Sequence, residues 1–184
     1  MHVRYNAPVT LTFTLLAAIV LVLSQTIAPG IILSLFSTPV PFRTNVFVDY
    51  VRLFTHVLGH ANIQHFISNF TMILLLGPIL ESVYGSSFLL LSILITALAT
   101  GLSNALLFPN VALLGGSGVV FMMIMLASIT NFSKGEVPLT FILVMIVYLG
   151  GQVWDALTRQ DNISQFSHII GGLVGSVLGF YRKK

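Results

Sequence analysis

The sequence has 184 residues, of which 56% are hydrophobic and only 7% are charged. Soluble domains carry about 25% charged residues, and no water-exposed fold could hide so much apolar surface, so the composition indicates an integral membrane protein. The lack of cysteine excludes disulfides and cysteine-ligated metal sites. A net charge of only +3, without basic stretches interleaved with aromatic residues, argues against a nucleic-acid partner.

The first half of the chain predicts two membrane spans separated by a long loop. A crossing takes about 20 apolar residues, and span 1 runs roughly over residues 9–28. No small-residue cleavage site follows span 1, so we expect it to be retained. Residues 29–52 are too broken by proline and charge to cross, and they predict a loop at the membrane interface. Span 2 covers roughly residues 62–80.

The second half of the chain predicts four more spans. The stretch from Ser82 to Ser133 lacks Asp, Glu, Lys and Arg and is too long for one crossing. Breakers at 109–110 and 115–116 divide it into span 3 (87–107) and span 4 (117–131). Spans 5 and 6 follow at 139–154 and 163–181. The sequence thus predicts an all-α polytopic membrane protein, a single domain over 1–184 with six transmembrane helices.

The distribution of Lys and Arg predicts the orientation in the membrane. With the N-terminus inside, five basic residues lie on the cytoplasmic side and three lie outside. The inner group is Arg4, Lys134, Arg182, Lys183 and Lys184, and the outer group is Arg43, Arg52 and Arg159. We therefore expect a multi-pass protein of the plasma (inner) membrane with both termini in the cytoplasm.

Four polar residues are predicted to share one depth in the bilayer. His65 and Asn69 lie near the start of span 2, Ser117 starts span 4, and His168 lies near the start of span 6. These three spans run in the same direction, so the four residues fall in the outer leaflet. Polar groups inside a bilayer are costly and are functional candidates by default. Because His65 and Asn69 are spaced i, i+4, they share one helix face.

Ser117 stands between Gly116 and Gly118 in "GGSGVVF", residues 115–121. At a helix start it could be a simple N-cap that bonds backbone donors. A helix N-terminus also favours developing negative charge, and the flanking glycines leave the hydroxyl open to a substrate carbonyl. With a histidine at matching depth, Ser117 has the parts for nucleophilic catalysis. The residues alone leave both interpretations open.

A stripe of small residues follows His168 along span 6. Gly171 and Gly175 lie on the face of His168, and Gly179 continues the series. Such a stripe lets another helix approach closely. The glycines alone indicate tight packing, and the histidine on the same face is expected to point at the neighbouring helix rather than at lipid.

Two other functions deserve comparison with catalysis. His56 and His60 have the i, i+4 spacing that metals use, but no Asp or Glu lies near them in the adjoining spans. They precede the apolar run, so we expect them at the solvated interface, and we predict neither a metal site nor a cofactor. A transporter or channel with proton-relaying histidines is the second alternative, although no internal repeat or midplane site is evident.

Four segments together resemble the rhomboid family of intramembrane serine proteases. They are "RLFTHVLGHANIQHFISNF" (52–70), "ESVYG" (81–85), "GGSGVVF" (115–121) and "HIIGGLVG" (168–175). The resemblance implies a compact rhomboid-like bundle and a Ser–His dyad, with Ser117 as nucleophile and His168 as general base. It also implies an oxyanion hole formed by His65, Asn69 and the backbone N–H of Ser117.

The resemblance assigns supporting roles to further residues. Phe121 would stack on the catalytic histidine, His60 would hold the first outer loop, and Glu81 with Gly85 would connect two helices on the cytoplasmic side. Val51 stands before Arg52 where the family has tryptophan, which puts the packing of that loop in question. The implied substrates are transmembrane proteins cleaved in the bilayer, with span 5 and residues 155–163 as a lateral gate. A rhomboid-like pseudoenzyme that binds membrane clients is the remaining alternative.

Overall fold

A computed structural model describes residues 4–129, 139–144, 146 and 162–182 of the chain. Every regular element in these ranges is a helix. In chain order they are α1 (Pro8–Gln25), α2 (Ile31–Leu35), α3 (Phe47–Thr55), a 3₁₀ turn (His56–Leu58), α4 (Ile63–Tyr84), α5 (Ser86–Leu107), α6 (Ser117–Ser128), α7 (Leu139–Val144) and α8 (Asn162–Arg182).

Three of the described helices, α1, α4 and α5, are long and apolar enough to cross a membrane. They occupy the positions of predicted spans 1, 2 and 3. Helix α4 continues four residues beyond the predicted end at 80 and contains Glu81. The charge does not end the helix, because the Glu81 side chain is buried and hydrogen-bonded inside the protein.

The later helices differ in length from the predicted spans. Helix α6 has only 12 residues and ends at Ser128, three residues before the predicted end. Helix α8 matches the predicted span 6 to within one residue at each end. Most of predicted span 5, and the predicted gate over 155–163, lie outside the described residues.

Helix α6 lies at the centre of the fold, where apolar residues on every side of it are buried. Val119, Met122, Met123, Met125 and Leu126 are all fully buried. A helix that is hydrophobic all round is typical of a buried position. Its neighbours α4 and α5 contribute Phe70, Ile73 and Leu89 to the same core. A short central helix can begin inside the bundle, and Ser117 is its first residue.

The long segment between α1 and α4 is folded rather than extended. Arg52 on α3 donates to the backbone carbonyls of Leu33, Ser37 and Thr38 at 2.7–3.1 Å, and so ties α3 to the end of α2. Arg52 therefore packs this segment even though the expected tryptophan neighbour is replaced by valine.

An ion pair closes the same segment. The carboxylate of Asp49 is fully buried and receives two hydrogen bonds from the guanidinium of Arg43, at 2.9 and 3.0 Å. Hydrogen bonds from Arg43 hold the pKa of Asp49 below its ordinary value, against the opposing effect of burial. Asp49 is thus a charged anchor inside the predicted interfacial loop.

Glu81 joins three helices at the opposite end of the bundle. Its carboxylate accepts hydrogen bonds from the backbone N–H groups of Val9 and Thr10, at 3.0 and 3.1 Å, and from the Thr10 hydroxyl at 2.9 Å. The Ser86 hydroxyl at the start of α5 donates to the same carboxylate at 2.7 Å. Gly85, with φ of +86°, makes the turn between α4 and α5. An acidic side chain at a helix N-terminus also complements the helix dipole.

Candidate active site

Ser117 is the first residue of α6, and Gly116 is the N-cap residue. No side chain makes a capping hydrogen bond at this helix end. The interpretation of Ser117 as an N-cap is therefore wrong, and its half-buried hydroxyl has no capping role. The N–H groups of the first helical turn have no partner within the helix, so the backbone here presents donors beside the hydroxyl.

The glycine loop before Ser117 lies against the side chains of α4. Gly115 has φ of +118°, which favours glycine. A Cβ atom there would lie only 2.8 Å from Nε2 of His65 and 3.6 Å from Nδ2 of Asn69. The N–H of Gly115 donates to the carbonyl of His56 at 3.0 Å. Glycine at 115 thus lets the loop that leads to Ser117 pack against His65 and Asn69.

The side chain of His60 connects this glycine loop to α4. Its Nδ1 bonds the Leu58 carbonyl at 3.2 Å, which requires an N–H at Nδ1. Its Nε2 then accepts from Nδ2 of Asn69 at 3.1 Å and from the N–H of Gly116 at 3.3 Å. Burial and the nearby His65 lower the pKa of His60 to about 4. The neutral ring therefore positions both Asn69 and the glycine loop.

The expectation that His56 and His60 are solvated is wrong, since their exposed fractions are 1% and 0%. The segment from α3 to His60 folds back into the bundle and packs closely on α5. A Cβ on Gly101 of α5 would lie only 2.6 Å from the Leu53 carbonyl oxygen. Nε2 of His56 is 3.2 Å from the Thr100 hydroxyl. Both nitrogens of His60 are engaged with protein atoms, which argues against its use as a metal ligand.

His65 and Asn69 present polar groups on one face of α4. Asn62 caps this helix, because its side-chain oxygen accepts from the N–H of His65 at 2.8 Å. The rings of His65 and His60 pack edge to face at 5.0 Å. Asn69 is buried and directs one N–H to His60, and an amide NH₂ carries two donors.

The imidazole of His168 on α8 is stacked on the ring of Phe121 on α6, with centroids 4.4 Å apart and planes 9° apart. Phe121 follows Ser117 by four residues, so both lie on one face of α6. The imidazole therefore packs on α6 at Phe121, one helical turn after Ser117.

Backbone contact between α6 and α8 makes this approach possible. A Cβ on Gly171 would overlap the carbonyl oxygen of Gly118, and a Cβ on Gly175 would overlap that of Met122. A Cβ on Gly118 would lie 3.3 Å from the Ser167 hydroxyl, next to His168 in the chain. The predicted small-residue stripe is thus the surface on which the two helices meet.

Sequence reasoning did not single out the residues that hold the loop between α5 and α6. Nδ2 of Asn104 donates to the Thr38 hydroxyl oxygen and to the Val111 carbonyl, each at 2.9 Å. The N–H of Leu113 donates to the same Thr38 oxygen at 2.7 Å. The position of Asn104 inside predicted span 3 could have identified it, because a strongly polar residue within a span usually has a structural or functional role.

Comparison with known proteins assigns the family. Residues 48–184 match the family described as Rhomboid domain. The chain is 29% identical over 142 residues to Rhomboid-related protein 2 of Mus musculus, a stretch that covers 70% of this chain and 47% of that protein. This chain thus spans about half the length of that curated relative. With three apolar helices long enough to cross a bilayer and a family match over most of its length, this membrane protein belongs to the rhomboid family.

Proposed function

We propose that this protein is an intramembrane serine endopeptidase, with Ser117 as nucleophile and His168 as general base. The observation that carries the proposal is the stacking of the His168 ring on Phe121, at 4.4 Å. Phe121 lies one helical turn from Ser117 on the same helix face, so a ring held on Phe121 is within reach of the start of α6. The contact of Gly171 with Gly118 supports the same pairing.

The reaction follows from the groups at this site. Neutral His168 takes the proton of the Ser117 hydroxyl as the oxygen attacks a peptide carbonyl, and then gives that proton to the leaving amine. The same histidine activates the water that hydrolyses the acyl-enzyme. His65, Asn69 and the N–H of Ser117 would donate to the oxyanion, each stabilising the transition state by about 3–4 kcal/mol.

Within this proposal, His60 acts through Asn69 and the glycine loop. It accepts hydrogen bonds from Nδ2 of Asn69 and the N–H of Gly116 at once. This arrangement fixes an oxyanion donor relative to the backbone that leads into Ser117. Preorganised donors are effective because they need no rearrangement when charge develops.

The proposal places the chemistry near the outer leaflet of a six-span, single-domain protein. Both termini would face the cytoplasm of a plasma (inner) membrane, and the substrates would be transmembrane segments of other proteins. Helix-weakening residues such as glycine or proline in a substrate would ease exposure of the scissile bond. Family membership favours this function over a transporter or channel.

The decisive experiment labels the purified, detergent-solubilised protein with a fluorophosphonate probe and measures cleavage of a model transmembrane substrate. We expect the native protein to be labelled and Ser117→Ala to be unlabelled. Cleavage should fall in both Ser117→Ala and His168→Ala, since loss of one member of a serine-protease catalytic set can cost on the order of a million-fold.

A matched control is Ser128→Ala, because its hydroxyl only bonds the Met125 carbonyl at the far end of α6. This variant should keep both labelling and cleavage. Full cleavage by Ser117→Ala would refute the nucleophile assignment. Binding of the substrate by the native protein without labelling or cleavage would instead identify a pseudoenzyme.

A further inference from the structure

An apolar groove opens along one side of α1. It has a volume of about 440 Å³ and is lined by α1, the end of α3, the 3₁₀ turn before His60 and α5. The side chains that line it are almost entirely apolar, and they include Phe13, Leu16, Val57, Leu58, Leu94 and Ala97. A water-filled groove with this lining would be unfavourable, so its occupant is expected to be apolar.

The groove lies at the depth of the hydrocarbon. Two of its walls, α1 and α5, are helices that can cross the membrane. Its lining extends along α1 from Pro8 to Leu16, which is about 12 Å at 1.5 Å per residue. One leaflet contributes about 15 Å of hydrocarbon. The groove therefore has the length of an acyl chain in one leaflet, and two residues of its lining, Leu90 and Leu94, are exposed at the surface of the protein.

Polar side chains lie beside the part of the groove that is near the N-terminus of α1. Thr12 lines the groove, and its hydroxyl is 2.9 Å from the hydroxyl of Tyr5. Tyr5 and the adjoining Arg4 are both exposed. Tyrosine and arginine are typical of the headgroup level of a membrane, and a cation here complements an anionic headgroup.

We propose that this groove binds one acyl chain of an anionic phospholipid, from the leaflet that meets the start of α1, with its headgroup beside Arg4. The inner end of the chain packs against Val57 and Leu58. The carbonyl of Leu58 holds Nδ1 of His60, so the lipid supports the turn that orients this histidine. The site goes beyond the proposed protease function and does not depend on it.

The test measures lipid retained by the purified protein in detergent micelles, by native mass spectrometry with phosphatidylglycerol or phosphatidylcholine added. Leu94→Trp fills the groove from α5 and should reduce retained phosphatidylglycerol at least about tenfold, the loss of about 1.4 kcal/mol of binding free energy. Leu98→Trp is the matched control, since Leu98 is similarly exposed one turn further along α5 and lies outside the groove lining.

Two more variants separate the groove from the headgroup. Leu16→Trp fills the groove from α1 and should reproduce the loss if Leu94→Trp folds poorly. Arg4→Gln should weaken phosphatidylglycerol retention about fivefold, or about 1 kcal/mol for one basic residue at a membrane surface, and leave phosphatidylcholine unchanged. Equal retention by Leu94→Trp and Leu98→Trp would overturn the groove, and equal retention of both lipids by the native protein would overturn the headgroup preference.

Retention is measured without a substrate, so it does not depend on the outcome of the fluorophosphonate experiment. A protein that binds the lipid and lacks protease activity would leave the lipid site intact. If the protein cleaves substrate but retains no phosphatidylglycerol, the lipid site is refuted and the protease function is not.

Discussion

The ring of His168 is stacked face to face on Phe121, although the two residues belong to different helices and lie far apart in the chain. In a Ser–His–Asp triad, a carboxylate orients the imidazole. Here the face of Phe121 fixes the plane of the His168 ring. The close backbone contact of α6 with α8 fixes the distance between the His168 ring and α6.

The stack predicts that a flat ring at position 121 is needed for full activity. Phe121→Leu keeps an apolar side chain but removes the ring, so His168 should tilt away from Ser117. Misplacement by about 1 Å can lower a rate about 100-fold, and we expect a fall in kcat of about 10- to 100-fold. Phe121→Tyr keeps the ring and should retain most activity. A leucine variant with native kcat would show that the stack does not orient the histidine.

Gly171 tests whether contact between α6 and α8 is needed at the depth of the site. Gly171→Ala places a methyl group on the Gly118 carbonyl and should force the helices apart, because backbone atoms cannot move aside as a side chain can. Cleavage and thermal stability should both fall, with a stability loss of about 1–3 kcal/mol for overpacking.

Gly30→Ala provides the comparison, since a Cβ there would have no neighbour within 4 Å. This variant should keep native stability and cleavage. A Gly171→Ala protein as stable and active as Gly30→Ala would mean that the two helices can separate at no cost.

Apolar runs and polar residues inside them could be predicted from the sequence, whereas contacts between distant segments could not. Helices α1, α4 and α5 coincide with predicted spans because about 20 apolar residues have few other stable positions. The burial of His56 was missed, since it depends on a loop folding back onto Gly101. The partnership of Thr38 and Asn104 was missed because hydrogen bonds across 66 residues leave no periodic pattern.

That partnership predicts coupling between two loops. Thr38→Val and Asn104→Leu each break the hydrogen bond that links them, and each should loosen the loop that leads to Ser117. A double-mutant cycle on thermal stability should give a coupling free energy of about 0.5–3 kcal/mol. Additive effects of the two substitutions would indicate that Thr38 and Asn104 act independently.

Glu81 predicts a large stability effect far from Ser117. Glu81→Ala leaves the N–H groups of Val9 and Thr10 and the Ser86 hydroxyl without their shared acceptor. Hydrogen bonds to a charged group contribute about 1.5–3 kcal/mol, so we expect thermal unfolding at a clearly lower temperature. The adjacent Ser82→Ala is the control, because the Ser82 hydroxyl bonds only the Ile79 carbonyl within α4 and is exposed. Equal unfolding temperatures for the two variants would contradict the role of Glu81.

Asp49 predicts how stability depends on acid pH. Hydrogen bonds from Arg43 hold the pKa of folded Asp49 below the ordinary 3.8, so well above pH 3.8 the carboxylate is ionised in both states and its stabilising effect is complete. As the pH falls below 3.8, the unfolded chain takes up the proton first, and stability is lost until the pH reaches the lower, folded pKa. The unfolding temperature of the native protein should therefore drop in this range.

Asp49→Asn should be less stable at neutral pH and should show a shallower drop below pH 3.8. Arg43→Gln should have the same effect, because it removes the main cause of the lowered pKa. The measurement is thermal unfolding in a nonionic detergent from pH 7 to pH 3. An unchanged drop in Asp49→Asn would assign the acid sensitivity to other carboxyl groups and remove Asp49 as the charged anchor of this segment.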